Sequence, residues 1–177
     1  EMLRNGTTSS MVFATVHKGA TEAVFRAAES RGVSMIAGKV LMDRNCPEGL
    51  CEAVEKGTAE SRELILKWHK KPGTRLRYAV TPRFAPTSSE RQLAEAGRLL
   101  EEFPDVHLQT HLAENTEECR WVRELFPWSR SYLDVYDRFG LVRPNSVFAH
   151  CIHLDAEDRA AMAAKGCAIS FCPTSNL

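Results

Sequence analysis

Val106-His107-Leu108-Gln109-Thr110-His111-Leu112-Ala113-Glu114-Asn115 joins a short apolar run to a histidine and, three residues further on, a carboxylate. A run of this length reads as a buried strand over 106–110, which puts His111 at the strand tip and Glu114 on the loop beyond it. Comparable runs recur at 11–15, 35–41, 76–81, 147–150 and 167–171. Helical spacing fills the gaps. Leu93, Ala96, Leu100 and Phe103 share a face, and Thr87-x-x-Glu90 ahead of them fits a capping box. Thr21 suits the cap of a helix ending at Gly32, Pro47 a first helical turn, and Asp155 the cap of a helix running to Lys165. Leu64, Ile65 and Trp68 form one face ahead of Pro72-Gly73. Six β-α units in series result.

Such alternation defines an α/β protein with a parallel sheet covered by helices, either an open doubly wound sheet or a closed eight-stranded barrel. The period alone does not choose between them. Arg83, His111 and His150 all fall at or just past the C-terminal ends of expected strands. Parallel α/β folds build their sites there.

Charge and composition narrow the partners. Lys and Arg total 23, as do Asp and Glu, so no net field draws the chain to phosphate backbones or anionic lipid. Nucleic acid and membrane surfaces are therefore poor partners. No apolar run approaches the roughly 18 residues of a membrane span, and no basic-then-apolar leader opens the chain, which gives a soluble, cytoplasmic reading. The six cysteines, Cys46, Cys51, Cys119, Cys151, Cys167 and Cys172, form no Cys-x-x-Cys pair and read as free thiols. Gly-rich phosphate loops, a Gly-x-Ser-x-Gly elbow, paired catalytic carboxylates and a Pro-Cys-x-x-Cys zinc signature are missing. This argues against kinase, serine-hydrolase, glycosidase and cytidine-deaminase chemistry.

The segment that opens this reading has the parts that metal-assisted hydrolysis needs. A neutral imidazole on a rigid strand end can ligate zinc, and a carboxylate reaching over the same spot can take a proton from the metal's water, whose pKa falls to roughly 7. His111 and Glu114 have that spacing, although a strand-end histidine followed by a helix-capping glutamate has it too. Phe148-Ala149-His150 brings a second histidine to the next strand tip, to face the same metal or its water or, alternatively, to sit buried against a backbone carbonyl. His153 falls on the following loop. Thr81-Pro82-Arg83-Phe84-Ala85-Pro86-Thr87 offers a guanidinium stiffened by prolines beside an aromatic face, suited to a flat heterocycle bearing a carbonyl, or else a surface arginine with a core phenylalanine. Asp43 and Arg44 read as loop-holding residues.

Taken together, Gly38-Lys39-Val40-Leu41-Met42-Asp43-Arg44-Asn45, Thr81 to Thr87, Thr110-His111-Leu112-Ala113-Glu114-Asn115, Phe148 to Leu154 and Phe171-Cys172-Pro173-Thr174-Ser175-Asn176-Leu177 resemble the amidohydrolase superfamily, in particular its bacterial guanine deaminases. The resemblance implies a portion of a distorted (β/α)8 TIM-type barrel, about strands 2 to 7, with 1–177 forming one partial barrel domain. It matches His111 to the zinc ligand of the fifth strand, which also contacts substrate. Glu114 matches the general acid/base and a substrate contact, His150 the catalytic histidine of the sixth strand, and Arg83 and Phe84 the substrate-binding pair. The implied reaction is zinc-dependent hydrolytic deamination of guanine to xanthine and ammonia, with Glu114 protonating ring N3 and later the departing ammonia. The family's first-strand His-x-His pair and eighth-strand aspartate have no counterpart, so the chain reads as the centre of a longer enzyme and as inactive alone. One Zn2+ per site is expected, its other ligands supplied from outside. An amidohydrolase acting on another aminated heterocycle and a non-catalytic degenerate barrel are the alternatives, and a homodimer is open.

Overall fold

The computed structural model describes all of residues 1–177. In chain order it contains β1 (Ser9–Phe13), α1 (Lys18–Ser30), β2 (Ser34–Gly38), β3 (Val40–Leu41), α2 (Val54–Trp68), β4 (Leu76–Pro82) and α3 (Glu90–Glu102). Next come β5 (His107–Leu112), α4 (Thr116–Leu125), α5 (Tyr132–Arg138), β6 (Ser146–His150), α6 (Ala156–Ala164), β7 (Ala168–Ser170) and α7 (Pro173–Asn176). Every strand pairing is parallel, in the order β1-β2-β4-β5-β6-β7, with β3 also on β4.

The order follows the chain without reversal, so the sheet lacks the switch point that marks a doubly wound fold. It is also rolled. Gln109 of β5 donates through Nε2 to the Val12 carbonyl of β1 at 2.8 Å and to the Thr81 hydroxyl of β4 at 3.0 Å, although β2 and β4 lie between the two outer strands in the sheet. A flat sheet would hold β1 and β5 three strand spacings apart, about 14 Å. The architecture is that of a partial (β/α)8 barrel.

Helices pack their apolar faces outside this curl. Phe25 of α1 stacks on Trp68 of α2 at 5.4 Å and on Tyr78 of β4 at 6.3 Å, all three buried. Leu64, Ile65 and Trp68 do share the buried face of α2, and Asp155 caps α6 by accepting from the Asp158 N–H.

Local signals were displaced where tertiary contacts competed. Thr21 lies inside α1, which starts at Lys18; it is buried, and its hydroxyl turns back to the His17 carbonyl. The cap of α3 is Ser89, because Thr87 is absorbed in the 3-10 turn Ala85–Thr87 and Asp43 holds the Ser89 N–H at 2.7 Å. Pro47 precedes only a 3-10 turn, Glu48–Leu50. The run 35–41 breaks into β2 and β3, since Gly38 passes so close to the Ala79 carbonyl and Thr81 hydroxyl that no Cβ fits. Lys39, at the break, is fully buried and ion-paired with Glu52 and Glu60. Two helices, not one, separate β5 from β6. Two of the expected free thiols are joined: the 3-10 turn folds the chain back until the Cα atoms of Cys46 and Cys51 are 5.6 Å apart, and they form a disulfide. The other four cysteines are free.

Candidate active site at the strand tips

Arg83, His111 and His150 come from the C-terminal ends of β4, β5 and β6, and the register sets the tips side by side, with Leu112 opposite His150. The turns beyond them are tight. Ala113, His150 and Cys151 take φ of 51°, 72° and 59°, conformations that cost a non-glycine residue about 1 kcal/mol or more. Backbone bonds hold them there: the Cys151 N–H donates to the Leu112 carbonyl at 2.8 Å, and those of Ile152 and His153 to the Ala113 carbonyl at 3.0 and 3.1 Å.

His111 is fixed from below. Its Nδ1 lies 2.8 Å from the Arg83 carbonyl, and a carbonyl can only accept, so Nδ1 carries the proton and Nε2 keeps a free lone pair. Burial pushes its pKa below the ordinary histidine value, against the opposing pull of that carbonyl. The result is a neutral, oriented imidazole, the form that ligates zinc with its other nitrogen tied to a backbone oxygen. Its ring sits 4.6 Å from Phe13, 5.5 Å from His150 in a stacked pair and 6.5 Å from Phe84. No three His, Cys, Asp or Glu side chains converge to hold an ion, so His111 offers one ligand and not a complete set.

His150 is buried and bridges two partners. Nδ1 meets Asn176 Oδ1 at 3.1 Å, and Nε2 lies 3.5 Å from Glu114 Oε1. With Nδ1 donating to Asn176, the ring turns Nε2 toward the Glu114 carboxylate. Arg83 is exposed; its guanidinium lies 4.9 Å from the Phe84 ring centroid and 3.9 Å from Met42 Sδ. Phe84 turns its ring edge-on to His111 on one side and to Trp121 of α4, at 6.2 Å, on the other. Phe84, Glu114, Asn115, Glu117, Glu118 and Trp121 line an open cleft of about 430 Å³. A larger apolar cavity of about 780 Å³, by Leu3, Val24, Val33 and Met35, sits at the opposite end of β2 and holds none of these groups. His153 points away, exposed beside Arg123 and Cys119. Asp43 binds Ser89, Arg44 donates to the Ala85 carbonyl and covers Phe126, and Asn45 donates to the Pro86 carbonyl: this loop clasps the segment carrying Arg83 and Phe84.

Four contributors had not been singled out. Tyr136 of α5 donates to the His111 carbonyl at 2.8 Å and accepts from the Ala85 N–H at 2.9 Å. Asn176 orients His150, Trp121 backs Phe84, and Glu118 is a buried carboxyl beside Glu114. Asn115-x-x-Glu118 has the spacing of a helix start and could have drawn attention to Glu118; nothing local marks Tyr136.

A rolled parallel sheet whose polar side chains gather at its C-terminal tips is part of a barrel, and those tips form the face where such folds place their sites. The Amidohydrolase family pattern matches residues 1–177, and the chain belongs to that family. It is 51% identical to guanine deaminase of Escherichia coli (strain K12) over 177 residues, which is 100% of this chain and 40% of that protein. The structure of the E. coli guanine deaminase superposes with a TM-score of 0.95, covering 98% of this chain and 40% of that one. Guanine deaminase from C. acetobutylicum with guanine bound in the active site superposes with a TM-score of 0.94 at 36% identity, covering 99% of this chain and 42% of that one. The chain spans about two fifths of the length of these relatives.

Proposed function

We propose that this chain serves, within a longer enzyme, the zinc-dependent hydrolytic deamination of guanine to xanthine and ammonia. The observation that carries the reading is the convergence of His111, with a free Nε2, and the Glu114–His150 pair at 3.5 Å, beside Arg83 and Phe84. Half of the positions are shared with a guanine deaminase, which supports guanine over other aminated heterocycles.

His111 would hold the metal through Nε2, with the remaining ligands coming from outside residues 1–177. Zinc held there would supply a water of lowered pKa, roughly 7, as the nucleophile for the ring carbon bearing the amine. Glu114 takes one proton from the attacking water and delivers it to ring N3, then takes the second from the new hydroxyl on that carbon and delivers it to the amine, which departs as ammonia; positioned acid/base groups of this kind contribute about 10²–10⁴-fold. His150, anchored through Nδ1, orients Glu114 through Nε2 and steadies the proton between them. Arg83 donates to the purine carbonyl, and Phe84 gives the ring an apolar face. The substrate is the free base, with no role for nucleic acid or a membrane surface; no helix is long and apolar enough to cross a membrane. The enzyme is cytoplasmic in this reading, and a homodimer is the oligomer to look for.

The test is ammonia release from guanine by the full-length protein, alongside Glu114→Gln. The variant should keep its zinc and lose about 10²-fold or more in turnover. A wild-type protein that leaves guanine untouched, or that turns over another aminated heterocycle faster, would overturn the substrate. Wild-type turnover in E114Q would remove Glu114 from its role.

A further inference from the structure

We propose that Met42 is a specificity-determining positioning residue: its thioether sulfur sets the direction of the Arg83 guanidinium, while residues 43–45 clamp the segment that carries Arg83 and Phe84. The inference rests on the reading of Arg83 as the group that grips the purine carbonyl.

Arg83 stands exposed just past the end of β4, where a free arginine head would sample many rotamers. No carboxylate pairs with it. What meets it is soft and neutral: the Phe84 ring, 4.9 Å from the guanidinium carbon, and Met42 Sδ, 3.9 Å from Nη1. Sulfur is a weak, polarisable acceptor. A carboxylate in its place would bind the guanidinium more tightly and occupy its charge, whereas a thioether orients the head and leaves that charge and most of its donors for a ligand. Met42 itself is held in place. It is 4% exposed and packs with Val16 and Val40 in a small apolar cluster apart from the main core, against Phe13, whose ring lies 4.6 Å from His111.

The backbone around this contact is fixed residue by residue. Pro82 and Pro86 have no N–H, so β4 cannot carry its pairing with β3 onward as a ladder, and the carbonyls of 85–87 need donors from elsewhere. The Arg83 N–H still donates to the Leu41 carbonyl at 3.2 Å. Beyond it the loop after β3 supplies the donors. Arg44 Nη2 donates to the Ala85 carbonyl at 3.2 Å, Asn45 Nδ2 to the Pro86 carbonyl at 2.8 Å, and the Asp43 N–H to the Thr87 carbonyl at 3.1 Å. Asp43 Oδ1 in turn accepts the Ser89 N–H at 2.7 Å. Arg83 is thus held at its main chain and at its guanidinium by one short segment, 41–45, and a shift of that segment moves the donors that would meet a substrate carbonyl.

The probes are hypoxanthine, which carries the C6 carbonyl of guanine without the amine, and purine, which carries neither. Both lack the leaving group and act as competitive inhibitors, so the ratio of their inhibition constants on the full-length enzyme isolates the carbonyl contact. Met42→Leu keeps the volume and removes the sulfur, a swap that cores tolerate. Asn45→Gly keeps the left-handed turn, φ 49°, and removes the bond to Pro86. The expected result in M42L is a preference for hypoxanthine about three- to tenfold weaker, a guanine KM raised by a similar factor, and a kcat within about twofold of wild type. N45G should shift the ratio in the same direction. An unchanged ratio in M42L would overturn the proposal, as would equal weakening of both inhibitors, which marks a loosened cleft and not a lost carbonyl contact. An M42L protein that fails to fold would make Met42 a core residue and overturn its part, and a wild-type ratio in N45G would do the same for the clamp. Arg83→Met separates the two readings: if it leaves the ratio unchanged, Arg83 does not grip the carbonyl and the proposal falls with it, whereas a lowered ratio beside an unchanged M42L strikes Met42 alone.

Discussion

The hydroxyl of Tyr136 meets three groups at once: it donates to the His111 carbonyl on β5, accepts from the Ala85 N–H past β4, and lies 3.1 Å from the Thr110 hydroxyl, also on β5. Burial drives its pKa far up, so it stays a neutral phenol at any working pH. Tyr136→Phe leaves a buried N–H and a buried carbonyl short of a partner. The expected loss is about 1–3 kcal/mol of stability, read as a lower denaturant midpoint for the full-length protein. An unchanged midpoint would show that water or a backbone shift replaces the hydroxyl. Sequence could nominate His111 by its place at a strand tip, but its supporting phenol is 25 residues away on a helix whose own pattern says only that Tyr136 is apolar. Partners that meet through folding leave no spacing to read.

At the scale of elements, the helices were legible by face and the boundaries were not. The buried stripe of α2 and the Asp155 cap of α6 follow from spacing, because an isolated helix obeys the same geometry. The Thr87 and Ser89 choice turned on Asp43, a residue 46 positions from Ser89. The break between β2 and β3 likewise depends on what stands opposite Gly38. Gly38→Ala would press a methyl group into the Ala79 backbone carbonyl, which cannot rotate aside as a side chain could. The expected cost reaches or exceeds the roughly 1–3 kcal/mol typical of overpacking, measurable as a lowered melting temperature or a loss of soluble protein. A variant as stable as wild type would mean that the β2–β4 spacing is not fixed at this point.

Across the whole molecule, the two ends of the sheet carry histidines with different work. At the end opposite the site, His69 accepts the Tyr78 N–H at Nδ1 across 3.0 Å, and His107 buries an Nδ1 without a partner. Burial lowers the pKa of both, with Asp105 pulling His69 back up and His69 pushing His107 further down. Protonating His69 at Nδ1 would cancel the bond from Tyr78. A histidine whose folded pKa lies below its unfolded value of about 6.5 binds fewer protons folded than unfolded, so stability is full above that pH and falls as pH drops through the folded pKa. The full-length protein should therefore melt at a lower temperature at pH 5.5 than at pH 7.5, and His107→Gln should flatten the fall. Equal melting temperatures at the two pH values would contradict this account.

By itself the sequence determined the α/β alternation, the parallel sheet, the strand-tip placement of Arg83, His111 and His150, and the kinship carried by the Thr110 to Asn115 segment. Each is local, set by period, punctuation and residue type within a few positions. Only the tertiary structure decided between an open sheet and a rolled one, through Gln109 reaching Val12. It alone joined Cys46 to Cys51, gave α3 the Ser89 cap, and set Glu118 in the face that α4 turns inward. Those outcomes depend on which distant groups the curl of the sheet brings within a few ångströms, and a one-dimensional pattern does not encode that distance.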